Sequence, residues 1–255
     1  MTQQGPAARA AAWLTQYERN RATASVWIDR SWLPSWWPQA ASTCDALSAP
    51  ESVEALMRTL SVPAPDMKVV FGCAERQHGA SADGRGSGKA PMPALAPALT
   101  WLSVPEQLRM LRLRAFVFRR GEVRRAVDFE RRARLAAWLG DEGGAQLRWL
   151  QGLDGAPEMP VLMRMHGAPL LDSLDATALA WEGYCLFQRD GVLRAGDATT
   201  QLLRLGLPRA LVTPAWLARC PRDTDADGSE RLFRRLPILF PEHAWSFGCE
   251  IPPSS

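Results

Sequence analysis

Residues 103–140 read SVPEQLRMLRLRAFVFRRGEVRRAVDFERRARLAAWLG, and their spacing decides the fold class. Leu108, Leu111, Ala115 and Phe118 recur at helical steps, which places them on one face of a helix opened by Ser103 and Pro105. Gly121 interrupts the period. Val123, Ala126, Val127 and Ala133 then predict a second helix that runs to Leu139 and ends at Gly140, so the stretch predicts two antiparallel helices.

The same punctuation continues on both sides. Toward the C-terminus, Asp141 predicts a cap for a helix through Trp149 and Leu150. Asp175 predicts one through Leu179, Gly183 and Leu186 to Gly191, and Asp197 one through Leu202, Leu203 and Leu205 before Gly206 and Pro208. Thr213-Pro214 predicts a further start. Toward the N-terminus, residues 7–24 predict a helix with Ala11, Leu14, Tyr17 and Ala22 near one face. Residues 51–61 predict another, carrying Val53, Leu56, Met57 and Leu60. Residues 67–73 are the best strand candidate, because Val69, Val70 and Phe71 favour an extended chain. No fixed period indicates a solenoid. The expected fold is all-α, an irregular multi-helix bundle with at most a minor β element.

Between Glu75 and Pro97 the composition changes, with Gly79, Gly84, Gly86 and Gly88 followed by Pro91, Pro93 and Pro97. Such a segment is expected to be a flexible Gly/Pro-rich linker or disordered insertion. The expected domain plan is therefore an N-terminal helical segment with a Trp/Pro-rich loop at 1–75, the insertion at 76–98 and a main helical domain at 99–255.

At 255 residues, 47% hydrophobic and 22% charged, the chain can bury a core without disulfides or metal. The formal net charge is only +3, which argues against a global polyanion binder. That sum hides an asymmetry. Arg109, Arg112, Arg114, Arg119, Arg120, Arg124, Arg125, Arg131, Arg132 and Arg134 face only Glu122, Asp128 and Glu130 over the same span. No apolar run approaches the ~20 residues of a membrane span, and the N-terminal apolar stretch is too short for a signal peptide. Cys44, Cys73, Cys185, Cys220 and Cys249 are odd in number and widely spaced, as expected of reduced thiols in the cytoplasm.

Motifs for chemistry fail individually. Gly84-Arg85-Gly86-Ser87-Gly88-Lys89 lacks the first glycine of a phosphate loop and is followed by Ala90 where Ser or Thr would hold Mg²⁺. Asp223-Thr224-Asp225-Ala226-Asp227-Gly228-Ser229 matches the first half of a calcium loop, but Arg234 stands where the bidentate carboxylate is due. An acidic surface turn is the expectation there. His78, His166 and His243 form no metal-ligand spacing. The expectation is a non-enzyme with no catalytic residues, no metal and no cofactor.

Two features remain. Trp27, Trp32, Trp36 and Trp37 lie within eleven residues, interleaved with Pro34 and Pro38; they suit an anchor in a partner's pocket or, equally, the chain's own core. The arginine run suits an acidic partner, nucleic acid or anionic lipid headgroups, or else a solvated outer face paired with Glu122, Asp128 and Glu130.

The segment Trp27-Ile28-Asp29-Arg30-Ser31-Trp32-Leu33-Pro34 resembles the aromatic signature near the N-terminus of the type III secretion accessory proteins called SctK or YscK, including their Hrp-system branch. Leu108 to Phe118, then Arg120-Gly121-Glu122-Val123 and the closing Trp138-Leu139-Gly140-Asp141, resemble that family's later helices and turn. The resemblance spans most of residues 13–217, but includes neither the 75–97 insertion nor the acidic turn at 223–228. It implies a cytoplasmic, non-enzymatic adaptor of the injectisome sorting platform, peripheral to the inner membrane through its partners. Those partners would be the inner-membrane ring protein's cytoplasmic domain and the C-ring-like platform protein, with no nucleic acid bound and no membrane insertion. The partner-binding residues expected on this reading are Trp27, Trp32, Leu33, Pro34, Trp36, Trp37, Arg119, Arg120, Arg124 and Arg125. An Arg-rich helical nucleic-acid-binding or regulatory protein is the alternative.

Overall fold

The computed structural model describes residues 6–33, 50–60, 62, 99 and 101–241. The strand candidate at 67–73, the insertion at 76–98 and Pro34, Trp36 and Trp37 lie outside the described residues. Among those described there are thirteen α-helices and no strand, as the periodicity predicts. They fall into two compact units, one drawn from Met1–Gln107 and Leu193–Ala210, the other from Leu108–Val192 and Leu211–Glu242.

The first unit holds α1 (Pro6–Ala22), α2 (Ala24–Trp27) and α3 (Pro50–Thr59), with a 3-10 turn at Arg30–Trp32. The buried face of α1 is Ala10, Tyr17 and Asn20 rather than the expected Ala11, Leu14 and Ala22. The period was right and the phase was wrong, because buried Asn20 takes a core position. Its amide donates to Leu102 O (3.0 Å) and its carbonyl oxygen accepts from Val104 N (3.3 Å), so a polar side chain ties the chain entering the next helix.

Tyr17 is buried in the same unit and stacks on Trp13 with centroids 5.8 Å apart. Burial pushes its phenol up to about 12, opposed by the charge of Arg21 and reinforced by Glu18. A group raised in the folded state contributes stability that is present below its unfolded value of about 10 and lost as pH climbs toward the folded one. In a Tyr184→Phe variant, which leaves Tyr17 as the remaining tyrosine, the phenolate absorbance is therefore expected to rise near pH 12, with stability falling over about pH 10–12. A midpoint at the unperturbed value would show the ring to be solvated.

α4 (Val104–Phe118) starts with a capping box in which the Ser103 N–H and hydroxyl both donate to Glu106 Oε2, at 2.7 and 2.6 Å. From Met110 to Phe118 every residue but Arg112 is buried. The expected single apolar stripe therefore widens to nearly the whole circumference, as in a helix surrounded by others. The predicted second helix is two: α5 (Arg120–Arg124) and α6 (Phe129–Ala137), separated at 125–128. The break has a local cause, since Asp128 turns extended and its carboxylate accepts from Arg131 N at 2.6 Å, capping α6. Val127 and Ala133, expected inward, are exposed as a result.

α7 (Gly143–Gln151) follows a left-handed Gly140, and its N-cap is Glu142, not Asp141. α8 (Met159–His166) was not read from the sequence, although Pro160 at its start and left-handed Gly167 (φ +74°) at its end are ordinary boundary signals. α9 (Ala176–Arg189) is capped by Asp175 as predicted, the carboxylate accepting from Ala178 N at 2.7 Å. Gly183 of α9 lies against α4, where a Cβ would sit 1.8 Å from Leu111 O, so only glycine permits this crossing. α10 (Ala198–Leu205) belongs to the first unit. α11 (Ala215–Arg219), α12 (Gly228–Phe233) and α13 (Leu236–Leu239) complete the second.

Candidate functional site

The segment carrying the sequence resemblance is bound into the first unit. Trp27 is buried, and its indole N–H donates to Asn20 O at 2.9 Å. Asp29 N donates to Leu205 O at 2.8 Å, and the Ser31 hydroxyl donates to Asp29 Oδ1 while accepting from Arg209 N. Trp32 is half-buried; its indole donates to Leu207 O at 2.7 Å, and the guanidiniums of Arg204 and Arg209 lie 5.1 and 5.4 Å from its ring centroid. Asp29, Ser31 and Trp32 thus fasten this turn to residues 205–209. Leu33 beside them is half-buried. The core reading applies to Trp27, whereas Trp32 keeps part of its surface in water.

The arginine run divides into buried and exposed members. Arg119 and Arg120, expected at a partner surface, are buried, and so is Arg114. Arg119 donates from Nε to Glu182 Oε1 (2.6 Å) and from Nη2 to Glu182 Oε2 (2.8 Å), a bidentate pair. Its Nη1 donates to Glu122 Oε2 (2.8 Å) and to Pro169 O (2.9 Å). Burial pushes the Glu182 carboxyl upward, opposed by Arg119 and reinforced by Glu122. Burial alone would lower Arg119, but the charges and hydrogen bonds of Glu182 and Glu122 raise it, so its guanidinium stays charged.

A second network joins the arginines to the turn that resembles a calcium loop. Arg114 Nη1 donates to Asp225 Oδ2 (2.8 Å) and Arg120 Nη1 to Asp225 Oδ1 (2.6 Å), while Arg114 Nη2 reaches Asp190 Oδ2 at 2.8 Å. Ser229 bridges the two by accepting from Arg114 Nε and donating to Asp190. Asp225 is therefore no surface residue. Its backbone is left-handed (φ 62°), and a Cβ on Gly228 would lie 2.1 Å from its carboxylate. At the exposed edge of the same turn, burial would raise Asp227, but the hydrogen bond and charge of Arg231 outweigh it and hold the carboxyl below its usual range.

Arg124 and Arg125 remain exposed. Arg124 donates from Nη1 to Leu153 O (2.7 Å) and from Nη2 to Gly155 O (3.2 Å), which holds its charged head at the surface against two neutral carbonyls. Arg125 lines an open groove with Met159, Met163 and Leu170. Sequence reasoning missed this groove because α8, which supplies both methionines, went unread.

The profile of a family described as bacterial type III secretion protein (HrpB4) matches residues 4–242, nearly the whole chain. The chain belongs to the HrpB4 family. Neither the curated proteins nor the solved structures contain a match. Membership agrees with the resemblance read from Trp27–Pro34 and Leu108–Asp141, and it gives this HrpB4-family protein a role in type III secretion. No helix among its described residues is long and apolar enough to cross a membrane.

Proposed function

We propose that the protein is a non-enzymatic adaptor of an injectisome sorting platform. It would join the cytoplasmic domain of the inner-membrane ring protein to the C-ring-like platform protein, on the cytoplasmic side of the inner membrane. Family membership supports a place in the secretion machinery. The observation that carries the adaptor role is the division of the arginine run: Arg114, Arg119 and Arg120 spend their charge on internal carboxylates, while Arg124 and Arg125 present theirs to solvent. Buried networks fix the second unit, and a small cationic surface is left for reversible, salt-sensitive contacts.

Co-purification of the full chain from secretion-competent cells, with identification of the bound proteins, tests the reading. Ring and platform proteins are the expected companions. Reversing Arg124 and Arg125 together to Glu is expected to weaken platform association roughly tenfold, about 1.4 kcal/mol, with only a small fall in melting temperature from the lost Arg124 bonds to Leu153 O and Gly155 O, since both side chains are exposed. Unchanged association, combined with tight and salt-dependent DNA or RNA binding by the wild type, would favour the nucleic-acid alternative.

A further inference from the structure

The groove beside α8 has a volume of about 580 Å³ and a predominantly apolar lining, with Met159, Pro160, Met163 and Leu170 as its walls and Arg125 and Arg164 at its rim. Leu170 is 54% exposed, so part of one wall is covered only by solvent. Met159 and Met163 are one helical turn apart on α8; Met159 is almost fully buried, and half-buried Met163 offers a flexible thioether to the groove.

The rim charge follows from the network beneath it. Glu122 also lines the groove, but its Oε2 accepts from Arg119 and its Oε1 from Leu171 N at 3.0 Å. Its carboxylate is thus engaged from below, whereas Arg125 and Arg164 are both exposed. The opening is cationic around an apolar floor. Beyond Arg125 in the chain, Val127 and Phe129 are 76% and 80% exposed, further apolar surface on either side of exposed Asp128.

We propose that this groove receives a short amphipathic protein segment, with large aliphatic side chains on one face and Asp or Glu on its flanks. This rests on the adaptor reading and names the kind of segment the adaptor recognises. The methionine walls suit an aliphatic helix face, since thioethers repack around side chains of different shape. The two guanidiniums favour carboxylates at the flanks and repel a basic segment. Single-stranded nucleic acid fits the groove less well, because among the described residues its lining has no aromatic ring on which bases could stack, the exposed ring of Phe129 lying outside it.

The probe is a fluorescein-labelled peptide of about fourteen residues, with Leu at helical spacing and Asp and Glu elsewhere, against a companion in which Lys replaces the acids. Anisotropy titrations of the full chain are expected to favour the acidic peptide by at least ~10-fold. Arg125→Glu with Arg164→Glu should reverse that preference, and Met163→Glu should abolish binding of both. Melting curves of the double reversal should match the wild type, since both arginines are exposed. Equal affinity of the wild type for the two peptides, absence of acidic-peptide binding, or a preference unchanged by the reversal would overturn the proposal. Displacement of the peptide by a single-stranded oligonucleotide would overturn it in favour of nucleic acid. Failure here with ring and platform proteins still co-purifying removes the groove assignment alone; loss of those proteins with peptide selectivity intact removes the adaptor reading instead.

Discussion

Replacing Asp225 with asparagine is expected to lower the free energy of unfolding by about 3–5 kcal/mol, measured by urea denaturation near neutral pH. Asn has nearly the same shape as Asp and tolerates the left-handed backbone found at position 225, so the exchange isolates the charge from backbone strain. What disappears is the one carboxylate that accepts from both Arg114 and Arg120. Arg114 retains Asp190, and Arg120 retains the carbonyls of Val117 and Gly155, so the loss should come from uncompensated charge rather than from a broken backbone. Burying a guanidinium without its anion is the costly step. Ser229→Ala should cost less, about 1–2 kcal/mol, because it removes a neutral bridge and leaves every charge paired. A midpoint for Asp225→Asn within the error of wild type would mean that the two arginines reach water or other acceptors readily, and that this network does not hold the second unit together.

The helices were legible because α4, α9 and their starts follow local rules: apolar periodicity, Ser103 with Pro105, and Asp175. Where the reading failed, the deciding contact lies far along the chain. Arg119 meets Glu182 and Arg114 meets Asp225, and no window of ten or twenty residues holds both partners. The run therefore looked like a charged surface. A signal did exist on the acid side: Glu182 interrupts an otherwise apolar helix between Trp181 and Gly183, and an acid placed there needs a partner. Asp225 carried a misleading signal instead, since alternating aspartates before a glycine are shared by calcium loops and by turns that bury one carboxylate. The phase of α1 failed for a related reason, because buried Asn20 breaks the hydrophobic count on which the face was drawn. Of the expected binding residues, the structure divides the arginines by burial and fastens the Trp27–Leu33 turn to residues 205–209, which no periodicity encodes.

Arg119→Met should be as damaging as the loss of Asp225, about 3–5 kcal/mol at neutral pH, but with a pH dependence of its own. Methionine reproduces the aliphatic stem as far as Nε, so the loss is confined to the guanidinium, its charge and the space it fills. The most deeply stranded partner is Glu182, whose two oxygens both accept from Arg119, with Glu122 beside it losing one bond. Burial already pushes that carboxyl upward, and without the guanidinium the push is unopposed. A carboxyl raised in the folded state favours folding only while it is protonated, so the penalty should be smallest below its unfolded value of about 4.3 and grow as pH rises above it. The variant should therefore regain stability relative to wild type on acidification from about pH 8 toward pH 4.5, whereas the deficit from a lost surface salt bridge fades only as pH falls below about 4.3. Adding Glu182→Met should restore part of the lost stability at neutral pH, because it removes one of the two buried carboxylates that Arg119 neutralises. Glu122 keeps its hydrogen bond from Leu171 N but loses its cation as well, so full recovery should also need Glu122→Gln. Chemical denaturation of wild type, single and double variants at several pH values separates these cases. A single variant whose deficit is flat with pH and is not relieved by Glu182→Met would show that Arg119 acts through its contacts with Pro169 and Trp216, not through its charge.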